Sequence, residues 1–258
     1  MRTRLTVMAT LAFLALAALA WAAEIDGTPG NDTLTGTAAR DVVQALGGDD
    51  TVRGGDGDDL IEGGHGNDQL FGEDGDDEIR DDSCPAPPER CFQGEDTMSG
   101  GDGNDRIFVT GFGDGQVGDS LSGGSGDDRL VGASGDDDLS GGLGNDELAG
   151  NAGQDTISGG PGDDDVDGGS GPRGFESPTN ANDVLSGGSG RDDLDGRAGN
   201  DTLNGGAGTD VVEGDAGNDK LNARDGARDR VDCGAGTRDS AVVDRRDRVI
   251  GCEFVRRR

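Results

Sequence analysis

Several things this chain lacks decide most of what it can be. It has no tyrosine, one tryptophan, one histidine and three methionines among 258 residues, and aromatics make up 3% of it. Lysine and arginine number 22 against 54 aspartates and glutamates, a formal charge of −32. So acidic a surface repels phosphate, which excludes nucleic acid as a partner. So few apolar side chains cannot fill an ordinary globular core. No H-E-x-x-H, G-x-S-x-G or P-loop is present, and the single histidine leaves a nucleophile without a base, so no enzyme is expected. The four cysteines form no C-x-x-C pair, which argues against a zinc or redox site. The acidic turns also lack the Glu that closes an EF-hand loop.

One long apolar run exists, from Leu5 to Ala20, behind Arg2 and Arg4 and ahead of Ala20-Trp21-Ala22. A basic start, an apolar middle and a small-x-small end read as a secretory signal over residues 1–22, cleaved near Ala22 or Ala23. The mature chain is therefore expected outside the cell, without stable membrane insertion. Cysteines fit that oxidising destination, and the local pairs Cys84–Cys91 and Cys233–Cys252 are favoured among three pairings.

What the chain has in abundance is glycine, 52 residues of it, set in a fixed period. Gly54-Gly55-Asp56-Gly57-Asp58-Asp59-Leu60-Ile61-Glu62 is the cleanest copy of a nine-residue phrase. With Asp at position six and an aliphatic residue at position eight, about twenty copies run between Gly27 and Asp232. The aliphatic series passes from Leu34, Val43 and Val52 to Val231. A polar-apolar-polar triplet gives a short strand with one inward side chain, and the glycine-rich residues before it give a turn. Two repeats per coil would stack alternate strands into two parallel sheets facing across a thin aliphatic ladder.

One buried aliphatic side chain per nine residues is weak against roughly 1–2 kcal/mol of backbone entropy per residue. A ligand must supply the difference. Glycine at positions one, two and four frees the backbone to turn carbonyl oxygens inward, and the Asp at position six adds carboxylate oxygen. An all-oxygen donor set suits Ca²⁺. His65, alone of its kind at the variable third position, reads as a solvated turn residue. Setting aside the leader (+2) and the segment from Ala223 (+3) leaves about −37 on the repeats. About 18 Ca²⁺ ions, one per gap between turns, would nearly cancel that charge.

The tandem phrase resembles the RTX, or hemolysin-type, calcium-binding repeat GGxGxDxUx. Strict GGxGxD begins at Gly54, Gly63, Gly100, Gly123, Gly141, Gly159, Gly187 and Gly205. The resemblance implies an all-β fold, a parallel β-roll or two-sheet right-handed solenoid, with many Ca²⁺ ions between successive turns. It implies ligands at Asp32, Asp41, Asp50, Asp59, Asp68, Asp77, Asp105, Asp128, Asp137, Asp146, Asp155, Asp164, Asp192, Asp201, Asp210 and Asp219, together with loop carbonyls. Position four departs from glycine at Ala39, Val117 and Ala181, and the 91–99 repeat opens Cys-Phe-Gln. Unlike the many relatives exported by a C-terminal signal, this chain carries an N-terminal one.

The organisation expected is a signal peptide at 1–22, a roll over 23–222 and a basic C-terminal segment over 223–258. Insertions at 81–90, 109–113 and 172–181 interrupt the roll. The last segment holds the final degenerate repeats and an irregular cap in which Val242, Val243, Val249, Ile250 and Phe254 cover the core end around a Cys233–Cys252 bridge. The function expected is a secreted, monomeric protein that folds on binding Ca²⁺. The alternative is an extracellular adhesion or matrix module, in which the stiffened roll presents its insertions to a cell-surface or matrix partner.

Overall fold

A computed structural model describes residues 4–6, 22–81, 94–109, 118–169 and 182–258. The expected leader therefore lies outside the described residues except for Arg4–Thr6 and Ala22, and so do Cys84 and Cys91. The described chain is all-β, a solenoid of about 11 turns built from two sheets. Thirteen strands, from Arg4–Thr6 and Glu24–Asp26 to Arg248–Ile250, make one sheet, and twelve, from Thr33–Thr35 to Phe254–Arg257, make the other. From Glu24–Asp26 onward consecutive strands alternate between the sheets, and neighbours within a sheet run parallel.

The period of nine sets the register. Leu34 pairs with Val52 and Val52 with Leu70 in one sheet, while Val43 pairs with Ile61 and Ile61 with Ile79 in the other. Position eight of every second repeat thus stands on the same column, and most coils take 18 residues. Two facing columns of aliphatic side chains, Ile61, Leu70, Ile79, Leu121 and Leu130 among them, are buried and form the core. This matches the ladder expected from the sequence.

Most strands outrun the triplet on one side of the roll, whereas on the other only a few do so, Val42–Gly47 and Leu60–His65 among them. Thr51–Asp56, Thr97–Asp102, Asp138–Leu143 and Thr156–Pro161 each run six residues, through the glycine pair that opens the next turn. Arg129–Val131, Glu147–Ala149 and Asp193–Asp195 in the other sheet stop after three. Two of the interruptions also begin later than the spacing implies. Asp81 ends the strand Glu78–Asp81 and Val109 ends Arg106–Val109, and the two pair with each other.

Beyond Asn222 both sheets continue. Ser240–Val243 and Phe254–Arg257 extend one, and Arg248–Ile250 closes the other. Cys233 and Cys252 are bridged, with Cα atoms 5.1 Å apart, and fasten these last rungs. The end is capped less fully than expected. Val243 is buried, but Ile250 and Phe254 stand 38% and 62% exposed, because they pair with Asp232 and Ser240 at the outward positions that flank the core residue.

Candidate metal centre: two lines of buried carboxylates

Each coil crosses between the sheets at two edges, and each edge carries one line of aspartates. On the first, the backbone N–H of Asp32 donates to Oδ1 of Asp50 at 2.7 Å and that of Asp50 to Oδ1 of Asp68 at 2.8 Å. The line continues through Asp96, Asp119, Asp137, Asp155, Asp183, Asp201, Asp219 and Asp239. On the second, Asp41, Asp59, Asp77, Asp105, Asp128, Asp146, Asp164, Asp192, Asp210, Asp229 and Asp247 follow one another in the same way. All sixteen aspartates singled out from the sequence stand on these lines. Asp96, Asp119, Asp183 and Asp229, part of the periodic series but left out of the ligand set, stand there too.

The hydrogen-bond ladder accounts for one oxygen of each carboxylate. The other is buried and, in most rungs, unpaired. Among the described residues this holds for Oδ2 of Asp50, Asp155, Asp183, Asp201 and Asp219 on the first edge and of Asp59, Asp77, Asp105, Asp128, Asp146, Asp164, Asp192 and Asp210 on the second. Unpaired buried oxygens are rare in native proteins and call for a partner. Position one shows how closely the turn is folded over them. A Cβ on Gly72 or Gly100 would lie 2.0 Å from Oδ2 of Asp77 or Asp105, and one on Gly54 2.3 Å from that of Asp59. Glycine stands there because the carboxylate occupies the space; these glycines do not adopt positive φ.

Position two requires the conformation itself. Gly142 has φ +114°, and a Cβ there would meet the carbonyl oxygen of Gly124 at 2.1 Å. Five residues other than glycine are held left-handed at this position: Leu46, Glu73, Asn151, Arg197 and Asp215, at φ +60° to +82°.

Burial makes the unpaired charge costly. Desolvation pushes the carboxyls of Asp128, Asp155, Asp192 and Asp201 up to about 7 and those of Asp59 and Asp146 up to about 6. The ladder N–H opposes the rise, and repulsion from the neighbouring rung adds to it. Carboxylates one rung apart, at about 4.8 Å, repel by roughly 3–4 kcal/mol per pair at an effective dielectric near 20. Twenty such contacts would exceed the roughly 5–15 kcal/mol by which a domain is stable. Cations between the rungs would reverse the sign of the interaction. Oxygen donors only, in buried turns with unpaired carboxylate atoms, fit a hard divalent ion. His65 is exposed at the end of its strand, away from the aspartate lines' buried oxygens.

Three turns are built differently. The N–H of Thr28, Thr37 and Ala133, each at position two, donates to Oδ2 of Asp32, Asp41 and Asp137 at 2.6, 2.5 and 3.3 Å. None of these three position-two residues has positive φ. There the protein supplies the donor that a cation would otherwise replace.

Position five adds a pattern that the spacing had concealed. Its side chains face solvent, yet Oδ1 of Asp76, Asn104, Asp127 and Asn145 accepts the N–H of Asn104, Asp127, Asn145 and Asp163 on the following coil at 2.7–2.8 Å. Asn182, Asn200 and Asn218 do the same on the first edge. The frequent Asp or Asn at this position was the available signal.

Two parallel sheets, joined at turns that bury rows of carboxylate against glycine, define a β-roll whose edges are made for hard cations. The chain belongs to the family of the RTX calcium-binding nonapeptide repeat, which matches over residues 26–61, 45–79, 93–114, 115–148, 140–172, 179–212 and 204–227. Comparison of the chain with curated proteins gives no match.

Proposed function

We propose that this is an exported protein whose β-roll folds by taking up many Ca²⁺ ions between its turns, and that its role is binding and structural rather than catalytic. The observation that carries the reading is the row of buried, unpaired Oδ2 atoms along both edges. In each matching turn the position-six Asp and the neighbouring carbonyls would hold the ion. The metal would contribute charge neutralisation, and the chain's own part is to fix the turn, exclude water and set the ladder. Since the ions bind the folded roll and not the coil, binding free energy becomes folding free energy. In low cytosolic Ca²⁺ the chain would stay extended and exportable, and outside the cell it would fold.

Far-ultraviolet circular dichroism tests this. The chelated chain should give a coil spectrum, convert to β at millimolar Ca²⁺ and revert on chelation. A coil spectrum that persists at saturating Ca²⁺ would overturn the reading.

A second reading, the roll as a scaffold for an extracellular partner, has one observation in its favour. All three insertions leave from the first edge. The coils that contain them lengthen from 18 residues to 28, 23 and 28, and the residues flanking each break lie on that side. Insertions that cluster on one face of a repeat scaffold commonly form its binding face. Deleting 172–181 should abolish partner binding while Ca²⁺-induced folding persists. Unchanged binding would remove this reading.

A further inference from the structure

Glycine holds position one in the complete turns because the position-six carboxylate fills the space a side chain would need. The chain departs from that rule at a few turns, and at one of them with a carboxylate. Asp81 stands at position one, two residues beyond the core residue Ile79, and the turn it opens closes at Asp96 after the first insertion. A carboxylate is thereby placed where most turns have only a hydrogen atom.

The consequence is a cluster unlike the rest of the ladder. One carboxylate oxygen each from Asp68, Asp81 and Asp96 lies within 4.8 Å of the others. The three residues are exposed by only 1%, 1% and 2%. Oδ1 of Asp96 accepts the N–H of Asp68 at 2.6 Å. Its Oδ2 is buried and receives no hydrogen bond from a backbone or hydroxyl donor. The ionisable groups acting on Asp96 are Asp119, Asp81 and Asp68, all acidic.

We propose that Asp68, Asp81 and Asp96 form a distinct Ca²⁺ site at the root of the first insertion, bound more tightly than the repeat turns. Two carboxyls side by side can share a proton, but a proton joins two groups and removes one charge of three. A divalent cation removes two and can be reached by all three. No nitrogen or sulfur donor belongs to the cluster, so a hard ion is preferred. Mg²⁺ keeps several waters and suits a site this buried poorly. A repeat turn contributes its carboxylate among backbone carbonyls, whereas here three carboxylates converge, and more ligand charge in a rigid site raises Ca²⁺ affinity. The site would fill first and hold the two coils on either side of the insertion together.

This inference rests on the reading of the roll as a Ca²⁺-binding array, and its test separates the two. Ca²⁺ bound to the full chain is counted by equilibrium dialysis from micromolar to millimolar free ion, with circular dichroism recorded on the same samples, for the native protein, D81N and D81G. D81G restores the residue that most turns carry and guards against a packing fault in D81N. Both variants should reach the native β signal at saturating Ca²⁺, bind one ion fewer and lose the tightest step, the first ion binding at least ten-fold more weakly. Native ion counts and native first-step affinity in both variants would overturn the proposal and leave the shared proton. Should the native chain gain no β structure with Ca²⁺, the array reading fails. The site then stands only if one tight ion remains that D81N and D81G remove, and it falls if none does.

Discussion

The two edges of this roll share one ladder and differ in nearly everything built on it. Of the eight strict GGxGxD turns, seven lie on the edge that ends at Asp59, Asp105, Asp128, Asp146, Asp164, Asp192 and Asp210; only the turn closing at Asp68 lies on the other. On this glycine edge the strands run on through the glycine pair, so that Gly124 pairs with Gly142 and Gly188 with Gly206. The opposite edge carries all three insertions and admits Ala45, Asp81, Val109 and Cys233 at position one. Its strands mostly stop early, leaving isolated bridges such as Ser134 with Ala152 and Ala198 with Ala216. Conformation explains the difference. At position two the glycine edge holds Gly124, Gly142 and Gly160 at φ +114° to +120°, whereas the insertion edge holds Asn151, Arg197 and Asp215 at +60° to +74°. Residues with a Cβ reach the latter range at a cost of about 1–2 kcal/mol and the former hardly at all. One edge varies freely, and the other departs less often, with Glu73 held left-handed at position two and Ala223 at position one.

The largest effect should come from exchanging protons for metal, which acts on the ladder that both edges share. Desolvation raises Asp77, Asp128 and Asp192 on the glycine edge and Asp155, Asp183 and Asp201 on the insertion edge from 3.8 to about 7. A folded-state value above the unfolded one means that the metal-free roll binds protons more tightly than the coil. That stabilisation is complete below about pH 4 and is lost as pH rises through about 7. Without Ca²⁺, β signal should therefore grow as pH falls from 7.5 to 4.5, while the Ca²⁺-loaded protein should release ions over the same range. A metal-free spectrum that does not respond to acid would remove the argument from buried carboxylates.

A methyl group at position two should separate the edges next. G142A places a Cβ against the Gly124 carbonyl at φ +114° and should cost about 2–4 kcal/mol, read as a several-fold higher Ca²⁺ midpoint. N151G, at φ +74°, relieves backbone strain but gives up the bond from Nδ2 to the Gly132 carbonyl at 3.2 Å, and should stay within about 1 kcal/mol. Equal effects would erase the distinction. Removing the Cys233–Cys252 bridge, which fastens position one of the last insertion-edge turn, should cost up to about 3 kcal/mol. Hydrogen exchange should show that loss in the rungs after Arg230 and not in those before Gly205.

The smallest effect should lie within a single site. Asp146 has an unpaired Oδ2, whereas Oδ2 of Asp137 receives the N–H of Ala133. D146N should lose one Ca²⁺ ion and D137N none, counted by native mass spectrometry. Loss of an ion from both would show that the Ala133 turn opens to metal.

Fold and ladder were legible because one short period carries both. Aliphatic residues at position eight set the register, and Asp at position six had to meet its copies on the next coil. The division of labour between edges was not legible, since consecutive repeats alternate between them and only the coil of two repeats sorts them. The role of position one was also misjudged: its glycine answers a carboxylate rather than a backbone angle, which is why Asp81 passed as the start of an insertion. Phe254 and Ile250 read as cap residues from hydrophobicity alone, but the register pairs them with Ser240 and Asp232 at outward-facing positions, which only the structure reveals.

The most direct test of the account counts Ca²⁺ ions and ordered structure together on the chain that begins at Ala23. Bound ions measured by equilibrium dialysis and β content measured on the same samples should rise in step, reaching more than ten ions with the full β spectrum at neutral pH. A complete β spectrum in excess chelator at pH 7.5, or saturation with ions without any change in spectrum, would contradict it.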